Sequence, residues 1–227
     1  MKIIARIYND YDSKFGVPRQ SGIIENESII VFEPEYRVNE ALRGLEEYNY
    51  IWLIWQFSEI DENKAWSPTV RPPGLGGNIR KGVFATRSPF RPNPIGLSSV
   101  KLCSIINTEN RGTVLKVTGA DLINGTPIYD IKPYIHYIDC HDDATDGFAF
   151  TQKSGLLSVN IDNKLKELIP ENKIKIIKEI LAQDPRPRYI DDGNREYGMS
   201  YAGLNIRFTV KDNILTVTDI NKANPED

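Results

Sequence analysis

Cysteine and histidine are scarce in this sequence of 227 residues, which contains two of each. Two cysteines are too few for a disulfide framework or a cysteine-rich metal site. With only His136 and His141 in addition, we expect neither a metal centre nor a Ser–His or Cys–His catalytic pair. No apolar run is long enough to cross a bilayer, and the first residues lack the apolar stretch of a signal peptide. The composition therefore predicts a cytoplasmic protein that works without a metal.

Acidic residues are absent from one long segment. Between Asn63 and Thr108 there is no Asp or Glu, although the whole chain has a formal net charge of −3. Because cations without neighbouring acids are neutralised from outside, we expect a locally positive surface that binds an anion, best a polyphosphate such as RNA. The basic residues of this segment are Lys64, Arg71, Arg80, Lys81, Arg87, Arg91 and Lys101.

The run at 87–94 is the most specific motif in this acid-free segment. It reads Arg-Ser-Pro-Phe-Arg-Pro-Asn-Pro, so proline fixes φ and removes the backbone donor at three of its eight positions. Such a run cannot lie inside a helix or strand, and it predicts a rigid, extended loop that holds Arg87 and Arg91 at a set separation. The alternative is a structural proline-rich crossover whose arginines pair with carboxylates elsewhere.

Two further loops contain polar side chains that suit a nucleotide ligand. The segment Phe15–Gln20 follows the first predicted strand and ends in an arginine and a glutamine, which offer a planar cation and an amide. The segment Asp121–Asp130 contains the turn dipeptide Asn124-Gly125. Its carboxylate and amide are well placed for ribose hydroxyls. A surface turn and a hairpin connection, respectively, are the alternatives.

The tryptophans divide into two groups. Trp52, Trp55 and Phe57 lie in a short apolar run, and we predict that they belong to the hydrophobic core. Trp66 lies beside Pro68 in the acid-free segment, and we predict that it is exposed for stacking on a base.

The strand pattern predicts a mainly β fold. Short strands with few helices between them favour a barrel or sandwich over a doubly wound sheet. We predict one early helix, Asn39–Tyr48, and a smaller C-terminal α+β unit with a helix at Glu171–Gln183 and a hairpin turn at Asp212-Asn213. The predicted N-terminal strands are Lys2–Tyr8, Ile29–Phe32, Tyr50–Phe57, Leu97–Ile106, Gly112–Thr118 and Thr126–Ile131.

Several motifs together resemble the TrmO family, that is, the YaeB, VirR or TsaA-like proteins. They occur in the family's order over nearly the whole chain: 17–20, 69–73, 75–78, 82–97, 121–134 and 181–187. The resemblance implies a single-sheet β-barrel methyltransferase domain over residues 1–142, a small C-terminal α+β domain over residues 156–227, and a homodimer. It also implies transfer of a methyl group from S-adenosylmethionine to the exocyclic nitrogen of threonylcarbamoyl-adenosine, next to the anticodon of tRNA. From the arginines that follow the predicted C-terminal helix, we predict that the C-terminal domain contacts tRNA.

The resemblance also assigns site residues. Ser58 and Glu59 stand where bacterial relatives often have His-Gln, and Asn124 stands where many relatives have Asp. The implied cofactor contacts are Pro18, Arg19, Gln20, Ser58, Glu59, Arg87, Leu97, Asp121, Leu122, Ile123 and Asn124. As groups that assist removal of the nitrogen's proton we consider Asp121, Asp130 and Tyr134. For tRNA phosphate or the substrate carboxylate we assign Arg71, Arg80, Lys81, Arg91, Arg186 and Arg188. For Arg186 and Arg188, which lie just past a predicted helix, a polar cap is the alternative.

Two other functions are compatible with the sequence. One is a methyltransferase of the same fold that acts on a small molecule and needs no tRNA. The other is a non-catalytic RNA-binding module that uses the basic loop alone and does not bind S-adenosylmethionine.

Overall fold

The computed structural model describes residues 1–60, 66–75, 78–152, 155–186 and 195–223. The strands are β1 Ala5–Tyr8, β2 Glu27–Phe32, β3 Tyr50–Gln56, β4 Thr69–Val70, β5 Lys81–Gly82, β6 Ile95–Thr108, β7 Gly112–Thr118, β8 Pro127–Pro133, β9 Ser158–Asn160, β10 Tyr197–Tyr201, β11 Leu204–Lys211 and β12 Ile214–Lys222. The α-helices are α1 His136–Asp139, α2 Asn163–Lys166 and α3 Glu171–Ala182. Single 3₁₀ turns occupy Pro34–Tyr36, Asn39–Leu42, Leu45–Glu47, Pro73–Leu75, Val83–Ala85 and Gly147–Gln152.

Six strands of the N-terminal part form one antiparallel sheet in the order β1-β2-β7-β6-β3-β8. Strand β8 pairs back with β1 through Ala5 and Ile128, so the sheet closes into a barrel. The mainly β prediction is confirmed, and all six predicted strands are present: β7 has the predicted ends, and the other five have displaced ends. The first strand, for example, begins at Ala5 rather than at Lys2.

The inside of the barrel is filled by alternate residues of each strand, because successive side chains of a strand point to opposite faces. Along β3, Ile51, Leu53 and Trp55 are buried in one cluster. Phe57 packs against this cluster, as predicted. Trp52 is an odd number of residues from Trp55 and therefore lies on the outer face, so its assignment to the core was wrong.

The predicted helix Asn39–Tyr48 is also wrong. Two 3₁₀ turns occupy this segment, and Gly44 between them has a φ of 86°. A left-handed residue at this position interrupts any α-helical run. The leucines that gave the helical spacing, Leu42 and Leu45, still pack against the barrel core.

The C-terminal part is a four-stranded sheet in the order β10-β11-β12-β9, with β9 parallel to β12. Helix α3 covers this sheet with Ile177, Ile180 and Leu181, and it confirms the predicted helix within one residue. The hairpin turn at Asp212-Asn213 is confirmed as well, since both residues have positive φ, 50° and 61°.

The β1–β2 connection, residues 9–26, belongs to both parts of the molecule. Tyr11 and Ile24 of this connection are buried in the C-terminal cluster. The hydroxyl of Tyr201 donates a hydrogen bond of 2.6 Å to the side chain of Asn26, and Lys173 of α3 forms an ion pair with Asp10. The C-terminal sheet therefore packs directly on the connection that contains the predicted Pro18–Gln20 motif.

None of the helices in the described part of the chain has the length and apolar character that a bilayer crossing requires.

Candidate functional site

Hydrogen bonds bring two loops together at one edge of the barrel. The Asn9 side chain donates to the carbonyl oxygen of Leu122 at 2.9 Å, and the Asn124 side chain accepts from the backbone N–H of Asn9 at 3.1 Å. The backbone N–H of Asn124 donates to the carbonyl of Tyr11 at 3.0 Å. The turn between β7 and β8 is thus fixed against the start of the β1–β2 connection.

A chain of three side chains connects the barrel core with this edge. The indole N–H of Trp55 donates to Ser98 Oγ at 2.9 Å, and Ser98 Oγ donates to Asp121 Oδ1 at 2.5 Å. Burial raises the pKa of the Asp121 carboxyl, although the hydrogen bond from Ser98 and the positive charge of Arg87 oppose the shift. A carboxyl group with a raised pKa is better matched to proton transfer near neutral pH.

Arg87 connects the proline-rich run to the same edge. Its guanidinium donates to the side-chain oxygen of Gln20, and the Gln20 amide donates to the carbonyl of Arg19 at 2.5 Å. Arg87 also acts on Asp121 through its charge. The structure therefore brings together members of three predicted segments that are far apart in the sequence: 18–20, 87–97 and 121–124.

The C-terminal part contacts this group of loops at Arg19 of the β1–β2 connection. The guanidinium of Arg19 donates to the carbonyl of Asp184 at 3.1 Å. Asp184 has a φ of 52° and accepts two hydrogen bonds from Arg186, at 2.8 and 3.0 Å. Arg186 thus holds the turn after α3 whose backbone contacts Arg19, while Pro18 is buried behind it.

Other predicted cofactor residues lie around this edge in different environments. Leu97 is 58% exposed beside Ser98 in β6, whereas Leu122 is buried in the barrel core and Ile123 is half-buried. Ser58 and Glu59 are exposed just after β3, where the N–H of Phe57 donates to the carbonyl of Pro94 at 2.9 Å. The end of β3 therefore lies against the proline-rich run.

The three candidate proton acceptors have separate partners. Asp121 is bound by Ser98, as described, whereas Asp130 forms an ion pair of 3.1 Å with Lys132. Tyr134 packs on Trp52, with ring centroids 5.4 Å apart. Desolvation raises the pKa of the Tyr134 hydroxyl, so it stays protonated at neutral pH. Of the three, Asp121 is the one that interacts with the residues of the assembled edge.

The basic residues of the acid-free segment serve different purposes. Arg91 donates to the carbonyl of Thr86 at 3.2 Å and so braces its own loop. Arg71 and Arg80 are exposed and Lys81 is half-buried, and within the described ranges none of these three forms a salt bridge. Lys64 and Arg188 lie outside the described residues.

Two residues of the site were missed by sequence reasoning. Ser98 is a polar residue at an inward position of β6, flanked inward by Gly96 and Val100, and this break in the apolar pattern was a usable signal. Asn9 follows β1 directly, and only its tertiary partners Leu122 and Asn124 reveal its role.

The side chains at this edge suit a charged nucleoside. They comprise a carboxylate, two amides and a guanidinium. In the described part of the chain, no group of three or more His, Cys, Asp and Glu side chains could hold a metal ion.

Comparison with known proteins identifies the family. Models of the tRNA-methyltransferase O N-terminal domain and of the TrmO C-terminal domain match residues 6–140 and 156–223. The chain is 38% identical over 219 residues to a tRNA (adenine(37)-N6)-methyltransferase of Escherichia coli K12, and this alignment covers 92% of each of the two chains. It is 35% identical over 214 residues, 90% of each chain, to a Pseudomonas aeruginosa protein provisionally named as an S-adenosylmethionine-dependent methyltransferase.

The fold agrees with a solved structure of the same family. The crystal structure of TrmO from P. aeruginosa superposes with a TM-score of 0.76 at 29% identity, covering 97% of this chain and 95% of the other. The sequence match and the shared fold extend over both the barrel and the C-terminal sheet. The chain belongs to the tRNA-methyltransferase O family.

Proposed function

We propose that this protein transfers a methyl group from S-adenosylmethionine to the exocyclic nitrogen of threonylcarbamoyl-adenosine, next to the anticodon of tRNA. One observation carries the proposal: Arg87, Gln20 and the turn at Asp121, which the family resemblance assigns to the cofactor, interact at a single edge of the barrel. The names of two relatives support the proposal: one is a tRNA (adenine(37)-N6)-methyltransferase, and the other is provisionally named as an S-adenosylmethionine-dependent methyltransferase. Because the proposed substrate is tRNA, we expect the enzyme in the cytoplasm.

The chain's own residues would hold the methyl donor by charge and hydrogen bonding. Arg87 is suited to the carboxylate of the amino-acid part, and the side chain of Asn124 is suited to ribose hydroxyls. Leu97 offers an apolar face to the base. When bound, S-adenosylmethionine supplies an electrophilic methyl group on a sulfonium, which a nitrogen nucleophile attacks directly.

Catalysis by this site depends mainly on alignment. A direct displacement requires the attacking nitrogen and the methyl carbon at about 3–3.5 Å, and fixing that geometry removes a large part of the barrier. The hydrogen-bonded loops and the proline-rich run provide a rigid frame for it. Asp121, with its raised pKa, accepts the proton that the nitrogen loses.

Three cations of the acid-free segment bind the tRNA. Arg71, Arg80 and Lys81 lie on the β4–β5 arm or next to it, and their charge is not neutralised by described acids. Phosphate contacts of this kind give affinity without sequence specificity and weaken as salt increases.

Methylation of tRNA is the direct test of this function. Purified protein with S-adenosylmethionine carrying a labelled methyl group should label tRNA that contains threonylcarbamoyl-adenosine, and nucleoside mass spectrometry should find one added methyl on that nucleoside. The same tRNA without the threonylcarbamoyl group is the control and should stay unlabelled.

Two other results would favour the alternative functions. A protein that binds RNA but gives no saturable heat on titration with S-adenosylmethionine would be a non-catalytic RNA-binding module. Labelling of a small molecule in the absence of tRNA would show the other alternative.

The outer face of β3 and β8 supports a homodimer. Tyr50, Trp52 and Tyr134 pack together there, with centroid distances of 6.3 Å from Tyr50 to Tyr134 and 5.4 Å from Trp52 to Tyr134. Tyr137 in the adjoining helix α1 is 83% exposed, and Ile138 is exposed beside it. Exposed aromatic and aliphatic side chains of this kind are suited to a protein interface.

Sedimentation equilibrium tests the dimer. We expect a mass twice the 25.8 kDa of the chain, and a shift towards the monomer in Tyr137→Lys, because a charge buried in an interface is costly. Ile214→Lys, at an exposed apolar position of the C-terminal sheet, is the matched control and should remain dimeric. A wild-type protein that sediments as a monomer at micromolar concentration would contradict the proposal.

A further inference from the structure

Two aromatic side chains of the acid-free segment project from the surface close to one another. Trp66 is 52% exposed and Phe84 is 73% exposed. Their ring centroids are 6.5 Å apart, and the ring planes are inclined by 32°. Large aromatic rings are mostly buried in monomeric proteins, so an exposed pair points to a partner that covers it. We call this pair the Trp66–Phe84 platform.

The backbone beneath the platform is fixed. Strands β4 and β5 pair Thr69 with Gly82, and the N–H of Val83 donates to the carbonyl of Pro68 at 2.9 Å. Val83 is buried and begins the 3₁₀ turn that presents Phe84 outward. Ring positions that are set before binding reduce the entropy lost on binding.

The acid-free segment that contains the platform is positively charged. Arg80 donates to Thr69 Oγ1 at 3.1 Å. Lys81 is the first residue of β5, and Arg71 directly follows β4. The described parts of the acid-free segment, 66–75 and 78–108, contribute no carboxylate to this surface. A partner with an anionic backbone and flat apolar groups is complementary to it.

We propose that the Trp66–Phe84 platform stacks an unpaired nucleobase of the tRNA anticodon loop, while Arg71, Arg80 and Lys81 bind the adjoining phosphates. The proposal rests on the proposed function, because it takes tRNA as the substrate. Bases in a duplex are already stacked on each other, so the ligand is a single-stranded loop nucleotide. Aromatic stacking tolerates every base, since each has a π-face. The platform therefore holds an unpaired nucleotide of the loop without strict selection of its base.

The expected effect is a loss of RNA affinity that does not depend on salt. Trp66→Ala and Phe84→Ala should each weaken binding of an anticodon stem-loop RNA about 5- to 150-fold. Trp66→Phe keeps an aromatic face and should stay near wild type. Arg80→Ala is the electrostatic comparison, and it should lower the slope of log affinity against log salt by about one. Affinity for S-adenosylmethionine should be unchanged in all four variants.

The test combines direct binding with turnover. Binding of a fluorescently labelled stem-loop RNA carrying the anticodon sequence is measured by fluorescence anisotropy, which does not depend on the tryptophans and therefore serves every variant. The KM for tRNA is measured in the methylation assay. Tyr48→Ala, which removes an exposed aromatic side chain outside the acid-free segment, is the matched control and should leave both quantities unchanged.

The outcomes separate this inference from the proposed function. Unchanged stem-loop affinity and unchanged KM in Trp66→Ala and Phe84→Ala would overturn the proposal that the platform stacks a base. The same result is expected if a protein partner covers these rings instead. A wild-type protein that methylates no tRNA would overturn the proposed function. The binding measurement, which needs no turnover, would still decide whether the rings contact RNA.

Discussion

Asp121→Asn should lower the turnover number for tRNA methylation by about 100-fold or more while affinity for S-adenosylmethionine stays within a few-fold. The amide oxygen still accepts the hydrogen bond of 2.5 Å from Ser98, so the turn keeps its geometry. The amide cannot accept a proton, and a positioned general base contributes about 10²- to 10⁴-fold. The measurement is single-turnover methylation together with calorimetric titration of the cofactor. Turnover equal to wild type would remove Asp121 as the base.

The same substitution should change the dependence of stability on pH. Burial raises the pKa of Asp121 in the folded protein, so the protonated form is favoured there. A raised folded-state pKa means that stability is fully present below the unfolded-state pKa and is lost as pH increases through the folded-state pKa. Wild type should therefore lose free energy of unfolding relative to Asp121→Asn between acidic and neutral pH. Urea denaturation at several pH values measures the difference.

Two comparisons make the assignment specific. Asp130→Asn removes a carboxylate that forms an ion pair with Lys132, and Tyr134→Phe removes a hydroxyl whose raised pKa disfavours it as a base. We expect smaller losses of turnover in both. Asp219→Asn in β12 controls for the loss of a surface carboxylate, since Asp219 accepts from Asn221 on the C-terminal sheet. A larger loss in Asp130→Asn than in Asp121→Asn would move the base to β8.

Gly96→Ala should produce the largest loss of stability, about 3 kcal/mol in the free energy of unfolding. A Cβ at this inward position of β6 would lie 2.1 Å from Trp55 Cε2, well inside contact distance. The indole would have to move, and the hydrogen bond from Trp55 to Ser98 would be lost with it. Because Ser98 also donates to Asp121, methylation should fall together with stability. Chemical denaturation and the methylation assay measure the two effects.

The matched control for this substitution is Gly198→Ala in β10. A Cβ at Gly198 meets no atom within 4 Å, so its stability should remain within about 0.5 kcal/mol of wild type. Equal stabilities of Gly96→Ala and Gly198→Ala would show that the barrel can rearrange around Trp55 and that the chain from Trp55 to Asp121 does not depend on close packing.

Local patterns in the sequence predicted most elements but not their tertiary roles. Alternation marked β7 with the correct ends, and the spacing of isoleucines marked α3 within one residue. The helix prediction for Asn39–Tyr48 was wrong because Leu42 and Leu45, which pack on the barrel from two 3₁₀ turns, have nearly the spacing that leucines on one face of an α-helix have. The assignment of Trp52 to the core was wrong because an apolar, aromatic-rich run does not indicate which face of the strand each residue occupies.

The candidate site was predictable as a set of segments and not as a set of contacts. The motif resemblance selected Gln20, Arg87 and Asp121, which do interact. It gave no indication that Arg186 binds Asp184 or that Lys173 pairs with Asp10. These contacts join residues of the C-terminal part to each other or to the β1–β2 connection.

The sequence by itself determined the mainly β class, the acid-free basic segment, the stiff proline-rich loop and the family, because each of these is a property of neighbouring residues or of motif order. Only the tertiary structure decided that Ser98 connects Trp55 to Asp121, that Arg87 reaches Gln20 and that Trp66 lies beside Phe84. The physical reason is that closing a sheet into a barrel juxtaposes residues far apart in the chain, and local propensity contains no information about such distances.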